Sequence, residues 1–229
     1  MMQQSPSSVI PISLGIVKVF LLKGKRSILV DTGNPGSEQK IVDALSQYGV
    51  APQDLSLILI THSHIDHFGS AAALKALTNA KIAIQADDAD ALRDGVNQEL
   101  QPTSFLGELF AKFFPLHTKK FPGIAPDIII EQELDLAEFG VQGTAIATPG
   151  HTSGSLSLFL ANGEAIIGDL VMGGIFRSQV PHYPWFAADL DQVKQSLQAV
   201  LRRRPTVIHT SHGGPFSPET LMKTLNVSR

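Results

Sequence analysis

The sequence predicts an α/β chain in which two β-rich halves, each closed off by helices, stack as a four-layer αββα sandwich. Three observations carry that expectation. Val/Ile/Leu-rich runs of strand length recur in both halves, helical periodicities lie between them, and the first half's order of strand, strand, helix, strand, helix, strand, helix is answered by a second strand-rich half with two closing helices. Periodicity alone is equally compatible with other α/β architectures, and no internal repeat shows at the residue level.

Taken in order, the apolar runs 12–22 and 26–30 are separated by a Lys-Gly-Lys turn and predict a hairpin ending at Asp31-Thr32-Gly33. Over 38–48, Ile41, Val42, Leu45 and Tyr48 fall at helical spacing and Gly49 supplies a stop. Residues 55–60 form a short buried strand that ends at Thr61-His62, 70–77 is an Ala-rich helix, 81–85 a strand, and 87–93 one or two helical turns. The second half has strands near 127–130, 143–147, 155–160 and 164–167, a helix at 190–203, a strand at 206–210 and a last helix at 218–225. One stretch, 96–123, exceeds a minimal sandwich and holds five of the twelve phenylalanines (Phe105, Phe110, Phe113, Phe114, Phe121), so it reads as an inserted cap on a single domain spanning 1–229.

Composition narrows the chemistry. A chain of 229 residues, 43% hydrophobic, can bury a sizeable core without needing a second domain. Its net charge of -3 and the shortness of the basic clusters at 23–26 and 202–204 argue against a nucleic-acid partner. With no cysteine, disulfides, thiolate zinc sites, cysteine nucleophiles and iron–sulfur clusters are excluded, so any metal must sit on nitrogen and oxygen. The polar segment 1–8 has neither the basic start nor the apolar core of a signal peptide, and no apolar run reaches a membrane span; the expectation is a cytoplasmic protein without a membrane partner.

The strongest local signal is Thr61-His62-Ser63-His64-Ile65-Asp66-His67-Phe68-Gly69. Simple pleating cannot aim alternate strand residues at one point, but a loop running into a helix start can fan His62, His64, Asp66 and His67 around it. Imidazole and carboxylate suit Zn, Mn or Fe.

Those residues resemble the HxHxDH signature of the metallo-β-lactamase superfamily, and its other motifs have counterparts in the family's order. Thr148-Pro149-Gly150-His151 resembles the turn that presents a third histidine, Gly168-Asp169 the bridging carboxylate, Ser211-His212-Gly213 the last ligand, and Asp31-Thr32-Gly33 the strand-end motif that supports the site from behind. The resemblance implies a first metal on His62, His64 and His151, a second on Asp66, His67 and His212, and Asp169 between them. His209 competes with His212 for the last role; the glycine after His212 favours the latter. His117 and His182 match no motif.

By resemblance, then, the expected cofactor is a pair of divalent ions, zinc first, Fe or Mn next, about 3.5–4 Å apart and sharing a hydroxide that attacks an ester, thioester or lactone carbonyl of a small molecule. Asp169 would hold the spacing, and Asp66 or a metal-bound water would carry a proton to the leaving group. Glyoxalase II enzymes resemble the chain in all metal motifs but carry a helical C-terminal extension, whereas only a short tail follows His212; the tyrosine that acyl-homoserine lactonases place after the bridging Asp is absent from Leu170-Val171-Met172-Gly173-Gly174. A one-iron persulfide dioxygenase is the alternative from another class, and a metal-stabilised binding protein the non-enzymatic one. Phe110 and Phe114 of the cap, with Tyr183 and Trp185, are expected to wall a partly apolar substrate pocket, the same residues alternatively packing on the sandwich or forming a homodimer face.

Overall fold

Strand and helix alternate in the first half of this computed structural model, which describes residues 8–98, 101–104, 107–109, 120–174 and 178–229. The elements are β1 (Ser8–Ser13), β2 (Lys18–Lys23), β3 (Ser27–Val30), α1 (Glu38–Gln47), β4 (Leu55–Leu59), α2 (Ile65–Phe68), α3 (Ala71–Thr78), β5 (Lys81–Gln85), α4 (Ala89–Asp94), β6 (Gln101–Pro102) and β7 (Ile128–Ile130). The second half continues with β8 (Glu133–Asp135), β9 (Gly143–Ala147), β10 (Leu156–Leu160), β11 (Glu164–Ile166), β12 (Met172–Gly173), β13 (Pro181–His182), β14 (Phe186–Ala187), α5 (Leu190–Arg202), β15 (Val207–His209) and α6 (Pro218–Leu225).

Two main sheets result, ordered β1-β2-β3-β4-β5-β7 and β15-β11-β10-β9-β8. The side chains explain why they stack. Along β2, Val19 and Leu21 enter a cluster shared with Ile41 and Leu45 of α1 and Leu74 of α3, while Phe20 and Leu22 enter a second cluster that meets Leu156 and Leu158 of the other sheet. In β4 and just beyond it, Ile58 and Ile60 face the helices and Leu57 and Leu59 face the opposite sheet. A strand covered on both faces has no polar side to alternate, so it reads as an unbroken apolar run. A third cluster joins Ala165 and Ile167 to Val193, Leu197 and Leu201 of α5 and Leu221 of α6. Helix, sheet, sheet, helix is therefore the observed layering, as the sequence led one to expect. Burying each of these Leu and Ile side chains contributes roughly 1.5–3 kcal/mol.

Two helix starts are set by side-chain caps. Asp189 accepts from the backbone N–H groups of Asp191 and Gln192 at the start of α5, and Ser217 accepts from that of Thr220 at the start of α6. Two expectations differ. The run 12–22 is broken into β1 and β2 by an apolar turn in which the Leu14 N–H donates to the Val17 carbonyl, and Ile16 there is 75% exposed. The polar edge strand β8 carried no strand signal.

Of the expected cap, Phe105, Phe110, Phe113 and Phe114 lie outside the described residues. Phe121 packs against the helix-side core, and its N–H donates to the Gly95 carbonyl. The antiparallel pairing of β6 with β14 sets Pro102 opposite Phe186 and joins the 96–123 segment to the stretch that follows Asp169.

Candidate metal centre

Every candidate ligand follows the C-terminal end of a strand or the helix start beyond it. β4 leads to His62, His64, Asp66 and His67, β9 to His151, β11 to Asp169 and β15 to His212. Parallel pairing of β4 with β3 and β5, and of β11 with β15, aligns those ends, where ligand sites of open α/β sheets form.

The side chains meet there. The imidazoles of His62, His64 and His151 have ring centroids 4.6–4.8 Å apart, and His62 and His67 lie at 3.9 Å. Asp169 Oδ2 is 3.6 Å from Nε2 of His67, 3.7 Å from that of His151 and 3.4 Å from that of His212. Asp66 reaches His212 Nε2 at 3.2 Å and His67 Nε2 at 3.8 Å. Three groups, His62–His64–His151, His62–His67–Asp169 and Asp66–His67–His212, each bring their ligand atoms within 4.8 Å of one another.

A second layer turns the rings. Carbonyl oxygens of Phe186 and Ile16 take the Nδ1 protons of His151 and His212, each at 2.9 Å, which leaves both Nε2 lone pairs facing inward. Asp31 Oδ2 accepts from Nδ1 of His67 at 2.9 Å and from the Thr61 hydroxyl at 2.9 Å, whose oxygen in turn lies 3.1 Å from Nδ1 of His62. The result is a set of buried polar atoms with no protein partner: Nε2 of His62, His64 and His67, and Oδ1 of Asp169. Orphaned acceptors of this kind cost free energy unless something cationic satisfies them. Nitrogen and oxygen donors so grouped fit divalent transition metal ions.

The charges divide accordingly. Burial, reinforced by neighbouring imidazoles, holds His62 well below the ordinary histidine range and lowers His64 to about 3. Burial also lowers His151 against the pull of Asp169. For His67 and His212 burial acts in the same direction but is outweighed by Asp66 and Asp169, so both are raised. The two carboxylates are held below their usual range, since those imidazoles outweigh the effect of their burial.

His209 lies elsewhere, its Nε2 2.6 Å from Glu164 and its ring edge-on to Phe20. Tyr183 packs against the α5-side core, and Trp185 stacks on His182 at 5.9 Å. At Gly213, φ 73°, a Cβ would lie 2.4 Å from the Cα of Gly173, so a side chain there would force the backbone behind His212 to shift.

Asp88 has no counterpart among the residues singled out from the sequence. Fully buried at the end of the turn after β5, it accepts from the Ser63 N–H at 2.6 Å, the Thr152 hydroxyl at 3.0 Å and the Gly154 N–H at 3.0 Å. The available signal was its position, a carboxylate just past a parallel strand, as Asp31 is past β3.

The sequence profile of the metallo-β-lactamase superfamily matches residues 12–212, a span that includes the whole centre. The chain belongs to that superfamily. Among its relatives are a probable metallo-hydrolase of Methanocaldococcus jannaschii, 29% identical over 199 residues that make up 85% of this chain and 86% of the relative, and metallo-beta-lactamase domain-containing protein 1 of Xenopus laevis, 28% identical over 200 residues, 86% and 71%. A β-lactamase from Chitinophaga pinensis superposes with a TM-score of 0.66 at 22% identity, covering 90% of this chain and 76% of its own, a likeness of fold. The superfamily membership and the metallo-hydrolase relative support an enzyme that uses metal, and among the described residues the histidine–aspartate cluster could hold it. Among the described residues no helix is long and apolar enough to cross a membrane.

Proposed function

We propose that the chain is a cytoplasmic binuclear metallohydrolase that opens a small-molecule ester, thioester or lactone carbonyl, of a glyoxalase II-like or esterase/lactonase-like kind. His62, His64 and His151 would hold one divalent ion and Asp66, His67 and His212 the other, zinc foremost, with Asp169 between. The observation that carries this reading is the grouping of His62 and His67, whose buried Nε2 atoms have no protein partner, with Asp169, whose Oδ2 also lies within 3.7 Å of His151 and His212. When bound, two such ions bring the pKa of a water toward neutrality and polarise a carbonyl.

The chain's own residues supply position and proton traffic. Asp169, whose Oδ2 stands within 3.7 Å of histidines from both groups, would lie between the two ions and offset their repulsion. Asp66 is the more open carboxylate, its side chain 27% exposed against 6% for Asp169, so it can pass a proton between the centre and a leaving group. The Nδ1 contacts to Asp31, Phe186 and Ile16 keep the imidazoles in one tautomer without adjustment during turnover. Absence of cysteine leaves no thiolate to attack the substrate, which is consistent with activated water as nucleophile. The small net charge supports a small-molecule substrate over a nucleic acid.

The test is elemental analysis of metal-replete protein together with hydrolysis of a chromogenic ester and a thioester before and after chelation. Close to two metals per chain and chelator-sensitive turnover are expected. A stoichiometry of zero would overturn the reading, and one iron per chain with oxygen uptake would replace it with dioxygenase chemistry.

A further inference from the structure

Asp88 stands at the N-cap position of α4, where an aspartate ordinarily accepts from the first free N–H groups of its own helix. It makes no such bond. All three of its donors belong instead to the two loops that carry the first metal group. Ser63, whose N–H meets Oδ2 at 2.6 Å, is the residue between His62 and His64. Thr152, whose hydroxyl shares that oxygen at 3.0 Å, follows His151 directly, and Gly154, whose N–H meets Oδ1 at 3.0 Å, ends the same turn. Nothing larger than glycine fits at 154, because a Cβ there would lie 2.6 Å from the Asp88 carboxylate. The second group is held by other hands, His67 by Asp31 and His212 by the Ile16 carbonyl.

We infer that Asp88 is a positioning residue for the first metal group: its carboxylate pins the His62–His64 loop to the His151 turn, and so sets the separation of the three imidazoles without touching the ion. Its effect is confined to that group, and Asp31 does the corresponding service for His67, with a lesser share in His62 through Thr61. The inference rests on the two-metal reading for what is bound, not for the hydrogen bonds themselves.

The test is cobalt(II) titration of apoprotein followed by visible absorption, on wild type, Asp88→Asn, Thr152→Val and Asp31→Asn, with thermal melting of each apoprotein alongside. Losing an outer partner of a metal ligand costs on the order of 10–100-fold in affinity. Asp88→Asn is expected to weaken one of the two binding steps by about that factor and leave the other alone. Thr152→Val, which keeps the carboxylate and its two backbone donors, should weaken the same step by less, and Asp31→Asn should chiefly weaken the other. Wild type with two steps and an Asp88→Asn protein that loses neither, or both equally, would overturn the positioning role while leaving the hydrolase reading intact. Should Asp88→Asn not fold, Thr152→Val decides, and an unchanged first step there would count against the inference. Wild type that takes up no cobalt would overturn the two-metal reading and this inference with it.

Discussion

Asp31 holds a left-handed backbone, φ 63°, that costs a non-glycine residue on the order of 1–3 kcal/mol. Its carboxylate offsets the strain by accepting from Thr61 N–H, the Thr61 hydroxyl and His67 Nδ1, which is why a strand-end aspartate and no other residue type suits the position. At the same scale the difference between His212 and His209 is one of partners. His212 faces two carboxylates of the centre, whereas His209 is paired with Glu164. His212→Ala is expected to lose metal from the second group by more than about 100-fold in affinity and leave the first occupied, while His209→Ala changes neither by as much as about tenfold. Metal titration of both variants checks this, and the reverse ranking would refute it. Asp169→Asn retains shape but removes the charge shared by both groups. We expect weakened binding at the second group and a fall in turnover carried mainly by kcat, the melting temperature of the apoprotein staying close to wild type. Full metal content with near-normal turnover in that variant would leave the centre without its proposed bridge.

Elements place these residues by having both faces buried. β4 delivers the HxHxDH loop because Ile58 and Ile60 are taken by the helices and Leu57 and Leu59 by the second sheet, leaving its register no freedom to slip. Ile58→Ala should therefore destabilise by about 2–5 kcal/mol. Ile16→Ala, in the exposed turn between β1 and β2, should stay within about 0.5 kcal/mol and keep metal affinity, since the residue holds His212 through its backbone carbonyl. Denaturant unfolding of the two variants, with metal titration of the second, separates them; equal losses would mean that the Ile16 side chain is buried in solution. The same turn shows why the run 12–22 could not be parsed from sequence. Leu14, Ile16 and Val17 are as apolar as the strands they separate, and the lone Gly15, at φ 106°, reads from sequence equally well as a bulge within one strand. β8 was missed for the converse reason, Glu133, Leu134 and Asp135 forming a sheet edge that needs only backbone bonds on one side.

For the whole molecule, the two groups differ in how strongly a proton competes with a metal. His67 and His212 are raised above the ordinary imidazole value of 6.5, so protons compete for them already near neutral pH, whereas His64, lowered to about 3, yields only in strong acid. Acidifying the loaded protein from pH 8 should empty the second group first, as pH approaches and passes 6.5, and the first group later. Dialysis at stepped pH with metal analysis tests it, and simultaneous loss from both groups would contradict it. What the sequence determined by itself was the ligand alphabet and the strands with two buried faces. HxHxDH is contiguous and residue type limits its chemistry to nitrogen and oxygen donors, while the remaining candidates, each just past an apolar run, were named through the resemblance to the superfamily's motifs. Strands covered on both faces likewise announced themselves as unbroken Val/Ile/Leu runs. Only the tertiary structure decided the partners: that Asp88 leaves its own helix uncapped to join two loops, that carbonyls of Phe186 and Ile16 orient His151 and His212, and that His209 turns to Glu164. A backbone carbonyl has no residue identity to read, and a hydrogen bond across 35 or 196 positions of chain exists only once packing has brought its two ends together.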